Sequence, residues 1–167
     1  FPDTISSVNA LQAGGVDVVW GVQNPELLDD VKEGIATEVG TTNGEVLLSM
    51  NNARAPFDDP RVRQAVAYAV DRKAANDILW NGLAKDTGGA PIPPTDPWFQ
   101  GKRYYDYNPD KARQLLEEAG AEGAEITLTT PTLPYAQTVA ELLYSQLTEV
   151  GFKVKLESAE FPAVWLG

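Results

Sequence analysis

The chain has 167 residues, 43% of them apolar and 22% charged, which is ordinary for one globular domain with a substantial core. Its formal charge of -11 argues against nucleic acid and anionic membrane surfaces as partners, and a solvated acidic exterior accounts for the excess. It contains no Cys and no His, so it offers no thiol nucleophile, no imidazole base, no Cys/His metal site and no Ser-His-Asp triad, and nothing in it implies a cofactor.

No apolar run approaches the roughly 20 residues of a membrane span. TISSVNALQAGG predicts a short helix with Ile5, Val8 and Leu11 on one face, stopped by Gly14 and Gly15. VDVVWG then predicts a buried strand over 17–20, and NPELLDDVKE a helix opened by Asn24 and Pro25. IATEV and EVLLSM predict two strands, with Asn43-Gly44 as a hairpin turn between them.

In the next segment Asp59 is an N-cap and Pro60 a first helical residue, followed by a stripe of Val62, Ala65, Val66, Ala69 and Val70. Asp71 repeats the cap, Ala74, Ala75, Ile78 and Leu79 form a second stripe, and Gly82 supplies the left-handed stop. Residues 84–108 form the longest irregular stretch, with Gly88, Gly89, Pro91, Pro93, Pro94 and Pro97. The aromatics after these prolines, Trp98, Phe99, Tyr104, Tyr105 and Tyr107, predict an ordered loop rather than a disordered linker.

Asn108 and Pro109 open a helix whose inward face is Ala112, Leu115, Leu116 and Ala119, ended by Gly120, with Arg113 and Glu117 spaced to pair. ITLTT is a strand. Pro134 opens a helix facing inward through Val139, Leu142, Leu143, Leu147 and Val150. FKVKLES is a strand alternating Phe152, Val154 and Leu156 against Lys153 and Lys155, and a last helix begins near Phe161. Strand–helix–strand at the end is a βαβ unit, and the class is α/β.

The string Asn51, Asn52, Pro56, Phe57, Asp59, Arg61, Val62, Arg63, Ala65, Ala69, Asp71 and Arg72, in this order and spacing, resembles a segment of the extracytoplasmic solute-binding proteins of peptide, dipeptide and nickel ABC importers (bacterial family 5). ALQAGGVDVV resembles the family's helix-to-strand segment and YDYNPDKARQLLEEAG its later helix. The ITLTT strand, long helix, Gly-Phe and KVKLE strand resemble the family segment next in order after that helix. The resemblance implies one lobe of a two-lobed periplasmic-binding-protein-like clamshell, a mixed sheet flanked by helices. Residues 1–167 would be that single lobe, with a leader, a first lobe and a C-terminal return lying outside it.

By the same resemblance the whole protein captures an oligopeptide or dipeptide outside the cytoplasmic membrane, in the periplasm or lipid-anchored on the membrane's outer face. It passes the solute to an ABC permease without covalent chemistry. A nickel complex or oligosaccharide in the same fold, a sensor or interaction ectodomain, and a carboxylate hydrolase are the alternatives.

The resemblance places the ligand wall on loops at strand ends. It points to Tyr135 after ITLTT, to Phe161 beyond KVKLE, where the ring can stack on a ligand but has no indole N–H, and to Trp80 at the end of the second central helix. Core or rim packing is the structural alternative for each. Asn51, Asn52 and Arg54 follow a strand end and present polar groups, or serve only as turn residues. Trp98 and Phe99 face the ligand or the other lobe, or pack under their loop. Asp59 is explained by capping and Glu117-Glu118 by a solvated helix face, while Arg61 and Arg63 are expected to pair with acidic neighbours. The Asp that peptide-binding members place in a W-x-x-D segment does not occur within these residues.

Overall fold

A computed structural model describes residues 1, 3–22, 24–29, 31–40 and 46–160. In chain order the elements are α1 (Thr4–Gln12), α2 (Glu26–Asp29), α3 (Pro60–Ala69), α4 (Arg72–Trp80), α5 (Pro109–Ala119), β1 (Glu125–Pro131), α6 (Pro134–Glu149) and β2 (Lys153–Ala159).

The predicted caps form. Asp59 accepts the Arg61 N–H at 2.8 Å, Asp71 the Ala74 N–H at 3.0 Å and Asn108 the Lys111 N–H at 2.9 Å. Each satisfies a donor that the first helical turn leaves unpaired. Between α3 and α4 the chain turns extended at Val70, and the Asp71 N–H is met at 3.1 Å by the side-chain oxygen of Gln146, a buried residue of α6. The left-handed stop of α4 falls on Asn81 (φ 48), one residue before the predicted Gly82.

α3 and α5 run antiparallel. The Arg61 guanidinium near the start of α3 donates to the Glu118 carbonyl near the end of α5 at 2.6 Å, and at the other end the Asn108 N–H donates to the Tyr68 carbonyl at 2.8 Å. Ala65, Ala69 and Ala112, all without exposed surface, line the seam between them. Val62, Val66, Leu115 and Leu116 extend that seam into a core closed by Ile126, Leu143, Leu147, Val150 and Phe152.

β1 and β2 pair in parallel, from Glu125↔Lys153 to Pro131↔Ala159, with α6 as the crossover. The expected mixed sheet is represented among the described residues by this parallel pair. The buried face of α6 is rotated from the predicted one. It runs through Ala136, Ala140, Leu143, Gln146, Leu147 and, at its end, Val150, leaving Val139 and Leu142 at the flank. Small alanines let the helix lie close to the strands, and larger residues fill the margins. Phe152, just before β2, is buried, while on β2 Val154 is half-buried and Leu156 exposed.

Several expectations are overturned. Residues 17–20, 35–39 and 46–50 form no strand. Their composition suits a strand, but a strand is a pairing, and the one sheet among the described residues is the β1–β2 pair. Val18, Trp20 and Leu47 accordingly stay exposed. The Asn43-Gly44 hairpin and the helix near Phe161 lie outside the described residues. α2 is described as a single turn over Glu26–Asp29, and the Asn24 side-chain amide donates to the Glu26 carboxylate at 3.0 Å.

The α4 stripe is not buried, and Ile78 is 58% exposed. Arg113 pairs with Asp110 at 2.7 Å and with Glu149 of α6 at 3.1 Å instead of with Glu117, a choice that ties α5 to the end of α6. Arg61 pairs with Asp59 as expected, whereas Arg63 donates to the Phe57 and Asp58 carbonyls rather than to an acidic side chain.

Leu116 has no exposed surface and sits where α5 meets the rest of the core. Leu116→Ala is expected to lower unfolding stability by about 2–5 kcal/mol in urea titrations, through lost transfer energy and the cavity left behind.

Candidate functional site

Parallel pairing sends β1 and β2 out of the sheet at the same edge, since Pro131 and Ala159 are register partners. In open α/β sheets, ligands collect outside these carboxyl ends. Tyr135, the second residue of α6, is half-buried at that edge. Phe161 comes two residues after Ala159 and lies outside the described residues.

Three polar side chains fasten the edge. Thr130, 4% exposed, donates from its hydroxyl to the Ala136 carbonyl at 3.0 Å. Gln137 donates through Nε2 to the Pro131 carbonyl at 2.7 Å and accepts the Ser158 hydroxyl through Oε1 at 3.2 Å. The β1–α6 loop is thereby closed onto the end of β2. Sequence reasoning missed these residues, because Gln137 and Ser158 are 21 positions apart and no local motif joins them.

The loop over residues 84–108 is organised around Asp86. That carboxylate accepts from Arg72 at 2.9 Å, from Arg103 at 3.0 Å and from the Gly88 N–H at 2.9 Å. Arg72 also donates to the Tyr105 carbonyl at 2.7 Å, and Arg103 pairs with Asp106 at 2.7 Å. Partial burial pushes Asp86 upward, but the Gly88 N–H and the two guanidinium groups outweigh it and hold the carboxyl below its ordinary value.

Gly88 (φ +67) is required here, since a Cβ would stand 3.0 Å from the Lys102 carbonyl oxygen and 3.1 Å from the Arg103 Cα. The Asp-x-Gly spacing of Asp86 and Gly88 is a turn signal legible in the sequence. Asn76 brackets the start of the loop with paired 3.0 Å bonds to the Ala84 carbonyl and N–H. Tyr68 and Tyr105 meet edge-to-face at 5.2 Å.

At the loop's outer end Trp98 is 81% exposed and lines an open recess of about 220 Å³ with Ile92, Phe99 and Tyr104, where the Lys102 ammonium lies 4.9 Å from the Tyr104 ring centre. Trp98 therefore does not pack under its loop.

Asn51 and Asn52 are exposed, and Asn51 spends its side-chain oxygen on the Ala53 N–H at 3.1 Å, as a turn residue does. Trp80 is half-buried at the end of α4. Among the described residues, no hydrogen bond, ion pair or ring contact joins Asn51, Asn52, Trp80 or Trp98 to Tyr135. Tyr135 follows Pro131, the last residue of β1, by four positions and so stands next to the carboxyl edge.

Asp59 is engaged by the Arg61 side chain and N–H, which lower its pKa, and the Asp58 carboxylate accepts the Asp59 N–H at 3.1 Å. Neither is arranged as an acid/base pair. Among the described residues no group of three or more Asp or Glu side chains converges as a metal site would require. No described helix is long and apolar enough to cross a membrane.

Compared with known proteins, residues 1–166 match the family described as bacterial extracellular solute-binding proteins, family 5 (middle region). The chain is 35% identical over 115 residues to the glutathione-binding protein GsiB of Salmonella typhimurium, covering 68% of this chain and 22% of that protein. Its fold is similar to that of NikA from Brucella suis in complex with Fe(III)-EDTA, with a TM-score of 0.82 and 27% identity over 99% of this chain and 37% of that one. It is also similar to the periplasmic binding protein DppA of Helicobacter pylori in complex with the peptide STSA, with a TM-score of 0.61 and 30% identity over 69% of this chain and 22% of that one. The chain spans about a fifth of the length of the curated relatives it matches.

The Asp86 network carries a pH dependence. A carboxyl whose folded pKa is depressed contributes stability above its unfolded value, near 4, and loses it as pH falls through the folded value. Asp86→Asn is therefore expected to be less stable than the parent at pH 7. The difference should shrink progressively below about pH 4, measured by thermal unfolding across that range.

Proposed function

Because the chain belongs to the family 5 bacterial extracellular solute-binding proteins, we propose that it forms one wall of a two-lobed receptor that captures a peptide-like solute outside the cytoplasmic membrane and delivers it to an ABC permease. Residues 1–167 act as a single lobe, and the opposite wall of the cleft belongs to the rest of the protein. The relation to a glutathione-binding protein, a carrier of a small peptide, is the observation that carries the peptide assignment. The parallel strand pair supports the location, since its carboxyl edge is where Tyr135 stands and where the chain runs on toward Phe161.

The lobe's part is binding rather than chemistry. Tyr135 offers a ring for ligand side chains and a hydroxyl for a polar contact, and Phe161 a second ring. Asp59 caps α3 and pairs with Arg61, and the Glu118 carboxylate accepts from the Gln114 amide, so these carboxylates already have structural partners. Exposed Trp98, Asn51 and Asn52 and half-buried Trp80 are further candidate contacts, Trp98 toward the solute or the other lobe. Hinge closure of the two lobes would bury the solute.

A metal chelate is the second reading, favoured by the similarity to NikA over almost the whole chain. Mass spectrometry of the solute released from the purified whole protein separates the two. A short peptide is expected, and a metal chelate in its place would overturn the peptide assignment. Tyr135→Ala is expected to weaken solute binding by about tenfold in calorimetry with little change in melting temperature. Unchanged affinity would remove Tyr135 from the site.

A further inference from the structure

We infer that Gln137 is a positioning residue that locks the ends of β1 and β2 into one rigid rim and so sets the placement of Tyr135. The inference rests on the carboxyl edge being the ligand wall. Gln137 lies one turn into α6 and uses both ends of its amide. Nε2 holds the Pro131 carbonyl at 2.7 Å, at the last residue of β1, and Oε1 holds the Ser158 hydroxyl at 3.2 Å, near the end of β2. Pro131 and Ala159 are register partners, so the amide adds a side-chain bridge across the last rungs of the pair.

Tyr135 lies in the segment between the Pro131 carbonyl and Gln137 itself. The buried Thr130 hydroxyl grips the next residue, Ala136, at 3.0 Å. Tyr135 is thus bracketed by bonds on both sides. The N-cap position Leu133 supplies no side-chain bond to the helix start, so the Gln137 and Thr130 bonds hold it instead. Preorganising a contact residue in this way improves affinity by removing the ordering that binding would otherwise require.

The test uses the whole protein, labelled with 3-fluorotyrosine, with the Tyr135 resonance assigned by Tyr135→Phe. Trialanine and glutathione serve as probes. Gln137→Met keeps the size and removes both bonds, whereas Ser158→Ala removes only the bond to β2. Gln137→Met is expected to shift or broaden the Tyr135 fluorine resonance and weaken probe binding by about tenfold. Ser158→Ala should do so by about threefold, each neutral bond being worth roughly a two- to tenfold factor.

A change in melting temperature alone, with the resonance and affinity as in the parent, would reduce Gln137 to an ordinary structural residue and overturn the inference. A resonance that responds in Gln137→Met, in a parent that binds neither probe, would support the positioning role and count against the peptide assignment.

Discussion

The closeness of α3 to α5 is the constraint on which the other packing depends. Ala65, Ala69 and Ala112 have no exposed surface, so the two helices meet through methyl groups, and any larger side chain in the seam would have to push them apart. The antiparallel arrangement is pinned at both ends, by Arg61 on the Glu118 carbonyl and by the Asn108 N–H on the Tyr68 carbonyl. With α5 fixed, Leu115 and Leu116 are presented to α6 and the sheet, and Gly120 turns the chain back into β1.

The carboxyl edge of the strand pair shows how a topological rule fixes where a residue stands. Parallel strands need a crossover, and the crossover helix begins at the edge where both strands end. Tyr135 is at the edge because α6 starts there. Its own chemistry does not put it there. The Gln137 amide and the Thr130 hydroxyl turn the adjacency into a fixed geometry. At the opposite end of α6, the buried Gln146 side chain answers the Asp71 N–H left open where α3 breaks into α4. One helix thus organises two junctions with two glutamines, and neither belongs to the apolar stripe by which the helix is recognised in the sequence.

Legibility in the sequence tracks the range of the interaction. The caps at Asp59, Asp71 and Asn108 act over two or three residues and are readable, as are the buried faces of α3 and α5. The pairing of Arg113 is not, because its partners include Glu149 on another helix. Residues 17–20, 35–39 and 46–50 read as strands and are not, because propensity says nothing about whether a partner strand runs alongside. Of the candidate site residues, Asn51 is a turn residue and Trp98 an exposed one. Tyr135 is singled out by family resemblance and stands at the strand ends for a reason the resemblance does not contain.

The amino-acid sequence alone determined the α/β class, the helix starts, the absence of thiol and imidazole chemistry, and the family, since these rest on composition and on patterns within a few turns of chain. Only the tertiary structure decided that Asp86 gathers Arg72 and Arg103, that Gln146 closes the α3–α4 junction, and that Gln137 bridges two strand ends. Apart from the local Gln137–Pro131 bond, the bonds that join separate parts of the chain there span 14 to 75 positions. Their partners become neighbours only after the apolar faces have packed, and a polar side chain carries no mark in the sequence of the partner it will meet.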